Sequence, residues 1–158
     1  MFSGKGDLLI RATSEWMVID INRRRPVRLP ACVTENAASC VDVVREIPFE
    51  LDTKNMPEEY ENTRCFTATY DNIDFNKHVT QAYVRWVTNS LSYEFLKEHG
   101  LRELEIVYEH EVLPDSRVNA ENHVTEGDGK VKVYHRVRNE AGDKTHCFAV
   151  STWEKNLD

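Results

Sequence analysis

Asp74, Asn76 and His78 occupy alternate positions in the stretch NIDFNKHVTQAYVRW, residues 72–86. In an extended run, side chains at i, i+2 and i+4 point the same way, so this spacing would set an acid, an amide and an imidazole on one face. Cleaving an acyl bond needs a group that activates water or attacks, a group that polarises the carbonyl and a group that protonates the leaving atom. Asp74 can be base or nucleophile. His78 can move a proton, since imidazole titrates near neutrality. Asn76 can orient either partner or hydrogen-bond a carbonyl oxygen. If a helix starts just beyond, the backbone N–H groups near Val79 and Thr80 suit a developing oxyanion. Each residue also has an ordinary reading: Asn76 as a helix cap, Asp74 as a turn acid, His78 as a structural histidine. No serine sits on a GxSxG elbow.

The elements that would position these groups are legible from residue 63 onward. TRCFTATY, rich in threonine and aromatics, predicts a strand. From Val79 the apolar positions are Val79, Ala82, Tyr83, Trp86 and Val87, prolonged by Leu91 and Phe95. That period predicts a helix over about 79–97, ended by His99-Gly100. ELEIVYEHEV alternates as a strand, and SRVNAENHVTE, KVKVYHRVRN and KTHCFAVSTWEK are three more, separated by the turn signals GDG and EAGD. Strand, long helix, then four strands is the order of an α+β architecture in which a mainly antiparallel sheet wraps one helix.

The first 62 residues carry weaker signals. LPACVTENAASCVDVVREIP contains a pattern for a short helix around 37–46, and FELDTKNMPEEYENT reads as a polar connector. RATSEW (11–16) and FAVSTW (148–153) share the spacing of Ala, Ser and Trp, and each follows a Gly-Asp turn. With the element order, this echo predicts that the chain opens with the last strand of a unit whose earlier strands and helix are absent. Such an orphan needs another surface to cover it.

At 158 residues the chain has the length of one domain, with 41% apolar and 30% charged residues. No apolar run approaches the ~18–20 residues of a membrane span. MFSGKGDLL lacks the basic start and apolar core of a signal peptide, so a cytoplasmic location is expected. A net charge of -7 argues against nucleic-acid binding. Cys32, Cys40, Cys65 and Cys147 have no CxxC or metal-ligand spacing, and reduced, mostly buried thiols are expected. The one basic cluster, NRRRPVR, holds Arg23, Arg24, Arg25 and Arg28. It reads as a solvated linker or as a dock for an anionic partner such as phosphate or an acidic carrier protein.

These residues also carry a resemblance. D-F-N-K-H-V followed by Y-V-R-W resembles the helix-entry motif D-x-N-x-H-V-N-N…Y…W of acyl-ACP thioesterases, which are double-hotdog proteins. EIVYEHEVLPDS is similar to that family's L-x-Y-x-x-E-C…D strand, and RATSEWMVIDINRRRPVRLP resembles the end of its first hotdog. The resemblance implies a hotdog fold over 63–158, a linker over 29–62, and a terminal strand with a basic exit from a truncated first hotdog over 1–28. It implies hydrolysis of the thioester between a fatty acyl chain and the phosphopantetheine of acyl carrier protein, with no metal and no organic cofactor. The implied catalytic set is Asp74, Asn76, His78 and Glu111.

Three departures from the family pattern carry consequences. Val112 stands where many members have cysteine, so a thiol nucleophile at that position is impossible and a carboxylate/water route is implied. Tyr83 lies one residue closer to the histidine than in the family, and Thr80 and Gln81 replace two asparagines. One residue fewer rotates later helical side chains by about 100°. Most of the first hotdog is missing, which implies a homodimer in which the leading strand around 8–20 covers a sheet edge or swaps between subunits.

Alternative readings are an acyl-CoA thioesterase and a non-catalytic acyl- or carrier-binding module. His123, His135 and His146 lie in alternating strands, where outward or hydrogen-bonded positions are expected. His110 should point away from Glu111 across its strand, and Trp16, Trp86 and Trp153 are expected to pack in the core or sheet.

Overall fold

The computed structural model describes residues 1–20, 22, 23, 25–37, 48–75, 77–79, 81–127 and 129–156. The chain divides into two compact units, Met1–Phe49 and Glu50–Asp158.

In the first unit, β1 (Val18–Asp20) pairs antiparallel with β2 (Arg25–Val27), and α1 (Ala31–Ala37) follows. Asp20 shapes the connection, because its Oδ1 accepts the Asn22 and Arg23 N–H groups at 2.9 Å each. The strand expected around 8–20 is therefore present only as Val18–Asp20, and RATSEW lies in no strand. A strand is stable only where a neighbour satisfies its backbone groups, and within this unit β1 finds three paired positions. Trp16 is 88% exposed, against the expectation of packing. Apart from Ala37, the helix expected around 37–46 lies outside the described residues.

The second unit opens with a 3-10 turn, Thr53–Asn55, capped by Asp52. It continues as β3 (Asn62–Thr67), α2 (Ala82–Asn89), α3 (Tyr93–Glu98), β4 (His99–Tyr108), β5 (Arg117–Gly127), β6 (Lys130–Asn139) and β7 (Thr145–Lys155). The five strands form one sheet in the order β3-β5-β6-β7-β4, and every neighbouring pair is antiparallel. Since β3 and β4 are opposite edges, the helical segment joining them has to cross the sheet. Strand alternation supplies the face it covers: Val118 and Ala120 on β5, Val133 and Val137 on β6, and Cys147, Ala149 and Trp153 on β7 are all buried. α2 answers with Ala82, Tyr83, Trp86 and Val87. Each large apolar side chain so buried contributes roughly 1.5–3 kcal/mol.

The single helix expected over 79–97 is two helices. The break falls at Ser90–Ser92, where Ser90 closes α2 by donating its hydroxyl to the Val87 carbonyl at 2.7 Å. Ser92 then takes extended backbone and caps α3 by accepting the Phe95 N–H at 3.1 Å. A Ser-Leu-Ser run inside an apolar stripe was the readable sign of this restart. α3 passes into β4 with no intervening residue, and the Phe95 and His99 rings stack at 4.3 Å across the junction. Of the described cysteines only Cys147 is buried; Cys32 and Cys65 are exposed, and all three are free thiols. No helix among the described residues is long and apolar enough to cross a membrane.

Candidate active site

The loop before α2 is not the extended run that alternation suggested. Ile73 and Val79 form an antiparallel bridge, the Asp74 N–H donates to the His78 carbonyl at 3.0 Å, and the Lys77 N–H returns to the Asp74 carbonyl at 3.0 Å. Lys77 sits in the left-handed region, with φ 64°. The chain thus turns back on itself between Asp74 and His78. Asp74 helps to close the turn, its Oδ1 accepting the His78 N–H at 3.2 Å. Asn76 lies outside the described residues.

Glu111 reaches the same place from the other side of the fold. β4 ends at Tyr108, so Glu111 is carried by the segment after the strand rather than by the strand itself. That segment is pinned to β7: the Glu109 and His110 N–H groups donate to the His146 carbonyl at 2.9 and 3.1 Å, and His110 Nδ1 meets the Thr145 carbonyl at 2.8 Å. It is also pinned to the helix entry, where the Val79 N–H donates to the Val112 carbonyl at 3.1 Å. Between these anchors Glu111 Oε2 comes to 2.9 Å from His78 Nε2, each side chain about one-third exposed at 34% and 33%. A carboxylate accepts, so Nε2 of a neutral His78 carries the proton and Nδ1 is its acceptor. Such a pair can take a proton from a water molecule and return it to a leaving group.

The expected oxyanion donors need correcting. The Val79 N–H is already engaged by Val112 and is not available to a substrate oxygen. Thr80 lies outside the described residues, and α2 itself begins only at Ala82, with Gln81 as a cap that makes no side-chain bond to it.

The remaining candidates separate cleanly. Arg23, Arg25 and Arg28 are exposed in the first unit, and Arg24 is outside the described residues. His123 meets Glu61 at 2.6 Å, and His135 is fully buried against Ser151. No group of three possible metal ligands occurs among the described residues. Cys147 is buried, and burial pushes its thiol up to about 12, which makes it inert as a nucleophile at neutral pH. Val112 is 1% exposed, a core position rather than a reactive one.

The sequence reading underrated three residues. Tyr83, taken as one more apolar position of the helical stripe, is 2% exposed and donates its hydroxyl to the His110 carbonyl at 3.1 Å. His146 directs Nδ1 at that carbonyl from β7, at 3.4 Å. His110, expected only to point away from Glu111, anchors the segment through its ring nitrogen at the Thr145 carbonyl. The available signal was Tyr83 itself, since a buried tyrosine needs a partner for its hydroxyl.

Residues 55–155, most of the chain, match the family model described as the acyl-ACP thioesterase C-terminal domain. The chain belongs to that family. Among curated proteins it is 28% identical over 144 residues to the chloroplastic acyl-[acyl-carrier-protein] hydrolase FATB1 of Cuphea viscosissima, covering 87% of this chain and 34% of that protein. Among solved structures it superposes with TM-score 0.69 and 25% identity on an assigned oleoyl thioesterase from Lactobacillus plantarum, covering 89% of this chain and 55% of that one. The 12:0-ACP thioesterase from Umbellularia californica matches with TM-score 0.69 at 18% identity, over 87% of this chain and 52% of that one. The fold is accordingly a hotdog, an α+β arrangement of helix on antiparallel sheet. The chain spans about a third of the length of the curated relative and about half of the two structural ones.

Proposed function

We propose that this protein hydrolyses the thioester of fatty acyl-acyl carrier protein, releasing free fatty acid in fatty acid biosynthesis. The observation that supports it is the 2.9 Å contact between His78 and Glu111, residues far apart in sequence that the fold brings together, in a chain that belongs to the family. In this reading Glu111 accepts from Nε2 and fixes the imidazole, and Nδ1 takes a proton from water. The water oxygen bonds to the acyl carbon. The tetrahedral adduct then collapses, the C–S bond breaks, and the thiolate leaves with that proton. A thiol is a good leaving group, with a pKa of ~8.5, so the first step carries most of the barrier.

Asp74 orders the loop that presents His78, and Asn76 and the Thr80 N–H are the candidates for holding the carbonyl oxygen. Arg23, Arg24, Arg25 and Arg28 would meet the phosphopantetheine phosphate or the acidic carrier. The proposal includes a homodimer in the cytoplasm, each copy covering the other's acyl pocket.

Release of free thiol from panels of acyl-ACP and acyl-CoA tests this. His78→Ala and Glu111→Ala should each lower kcat by about 10²–10⁴-fold, and the double variant should be little worse than the worse single one, because the two act as a unit. The preferred carrier names the substrate. Well-folded protein that turns over no thioester would leave the binding-module reading in its place.

A further inference from the structure

We propose that Tyr83 is a positioning residue, whose hydroxyl holds the peptide leading into Glu111 and so keeps that carboxylate against His78. The proposal rests on the hydrolytic reading of the His78–Glu111 pair and adds to it the group that sets the pair's geometry.

Tyr83 lies on the first turn of α2, edge-on to Trp86 at 5.5 Å and to Tyr108 at 5.3 Å. These ring contacts fix where the hydroxyl goes. It donates to the carbonyl of His110, the peptide that leads into Glu111, at 3.1 Å. Glu111 is the next residue, so the contact fixes where its side chain leaves the backbone. The hydroxyl stays a donor because burial holds its pKa well above the usual tyrosine value. From the sheet side, His146 Nδ1 points at the same His110 carbonyl, at 3.4 Å, so helix and sheet grip one peptide.

Packing alone would not need this oxygen, since phenylalanine fills the same space. What the hydroxyl adds is a fixed orientation for a segment that has already left β4. A misplacement of order 1 Å at a reacting group can cost about 10²-fold in rate. The same contact accounts for a polar group in the middle of a buried apolar stripe, which core formation by itself does not explain.

The test compares Tyr83→Phe with the wild type and with Glu111→Gln by two readouts. The first is kinetic: Tyr83→Phe should lower kcat about tenfold while KM stays within about twofold and the thermal midpoint shifts little. The second does not depend on turnover: the ¹⁵N resonances of the His78 ring should move in Tyr83→Phe toward their positions in Glu111→Gln. If phenylalanine is not tolerated, Tyr83→Met, which keeps an adaptable apolar side chain, takes its place in both measurements. His78 resonances that move in Glu111→Gln but keep their wild-type positions in a folded Tyr83 variant would overturn the proposal, as would an unchanged kcat. A wild type without turnover would instead remove the hydrolytic reading, and the resonances would still decide the role of Tyr83.

Discussion

Nε2 of His135 lies 2.7 Å from the Ser151 hydroxyl on the helix-facing side of the sheet, and Trp153 Nε1 donates to that same oxygen at 2.7 Å. The Ser151 oxygen thus joins Trp153 to a neutral His135 ring. Its Nδ1 is buried with no hydrogen-bond partner among the described residues. Burial lowers the pKa of this histidine to about 3.

Stability should therefore fall with acid in a predictable window. The folded state keeps His135 neutral, whereas an unfolded chain takes up the proton below ~6.5. The stabilising contribution is whole above that pH and declines as pH falls toward the folded value, by up to about 1.4 kcal/mol per pH unit. Urea melts of wild type and His135→Gln between pH 7 and 4 should show the variant with the shallower slope. Parallel slopes would mean that His135 is protonated in the native state.

The outer face of the sheet holds a second vulnerable group. Glu121, with a 9% exposed side chain, takes Arg136 Nε at 2.7 Å and Arg138 Nη2 at 2.8 Å. The Arg136 guanidinium also lies 4.1 Å over the Tyr60 ring. Removing the shared carboxylate strands two cations in a partly buried site, so Glu121→Ala should cost about 3 kcal/mol. Arg138→Ala, at a 30% exposed side chain, should cost only about 1 kcal/mol. Equal losses in chemical denaturation would refute this ranking.

The helix restart at Ser92 can be probed through its cap. Ser92→Ala removes the acceptor for the Phe95 N–H and should destabilise by about 1 kcal/mol, while Ser92→Asp should restore most of it. Thermal melts of the three proteins suffice. An alanine variant as stable as wild type would show that α3 is held by Phe95 and Leu96 packing alone.

Much of the second unit was legible because β5 and β6 are long and end in turn signals, as with Lys130–Asn139 before EAGD. The Asp/Asn/His spacing drew attention to the right loop, but for a reason the backbone does not follow: Asp74 and His78 meet through a closed turn, not along a strand. Glu111 was found through family resemblance, since nothing local links it to His78. The roles of Tyr83 and His146 were hidden because both point at a backbone carbonyl, a partner that has no letter in the sequence. RATSEW repeats the spacing of FAVSTW, yet within the first unit only Val18–Asp20 pairs, because pattern alone does not supply the neighbouring strand that a strand requires.

The direct passage from α3 into β4 has an evolutionary consequence. β4 carries one register shift against β7, between Leu101 and Glu103, and a residue inserted between Glu98 and His99 moves Leu104 and Ile106 from the inner face to the outer unless that bulge takes it up. Drift in length near that seam is confined to the bulge, whereas the exposed turn Glu140–Asp143 can absorb it freely. Relatives of this domain should therefore differ in size at the hairpin tips and, from the α3 cap to the end of β4, only at the bulge.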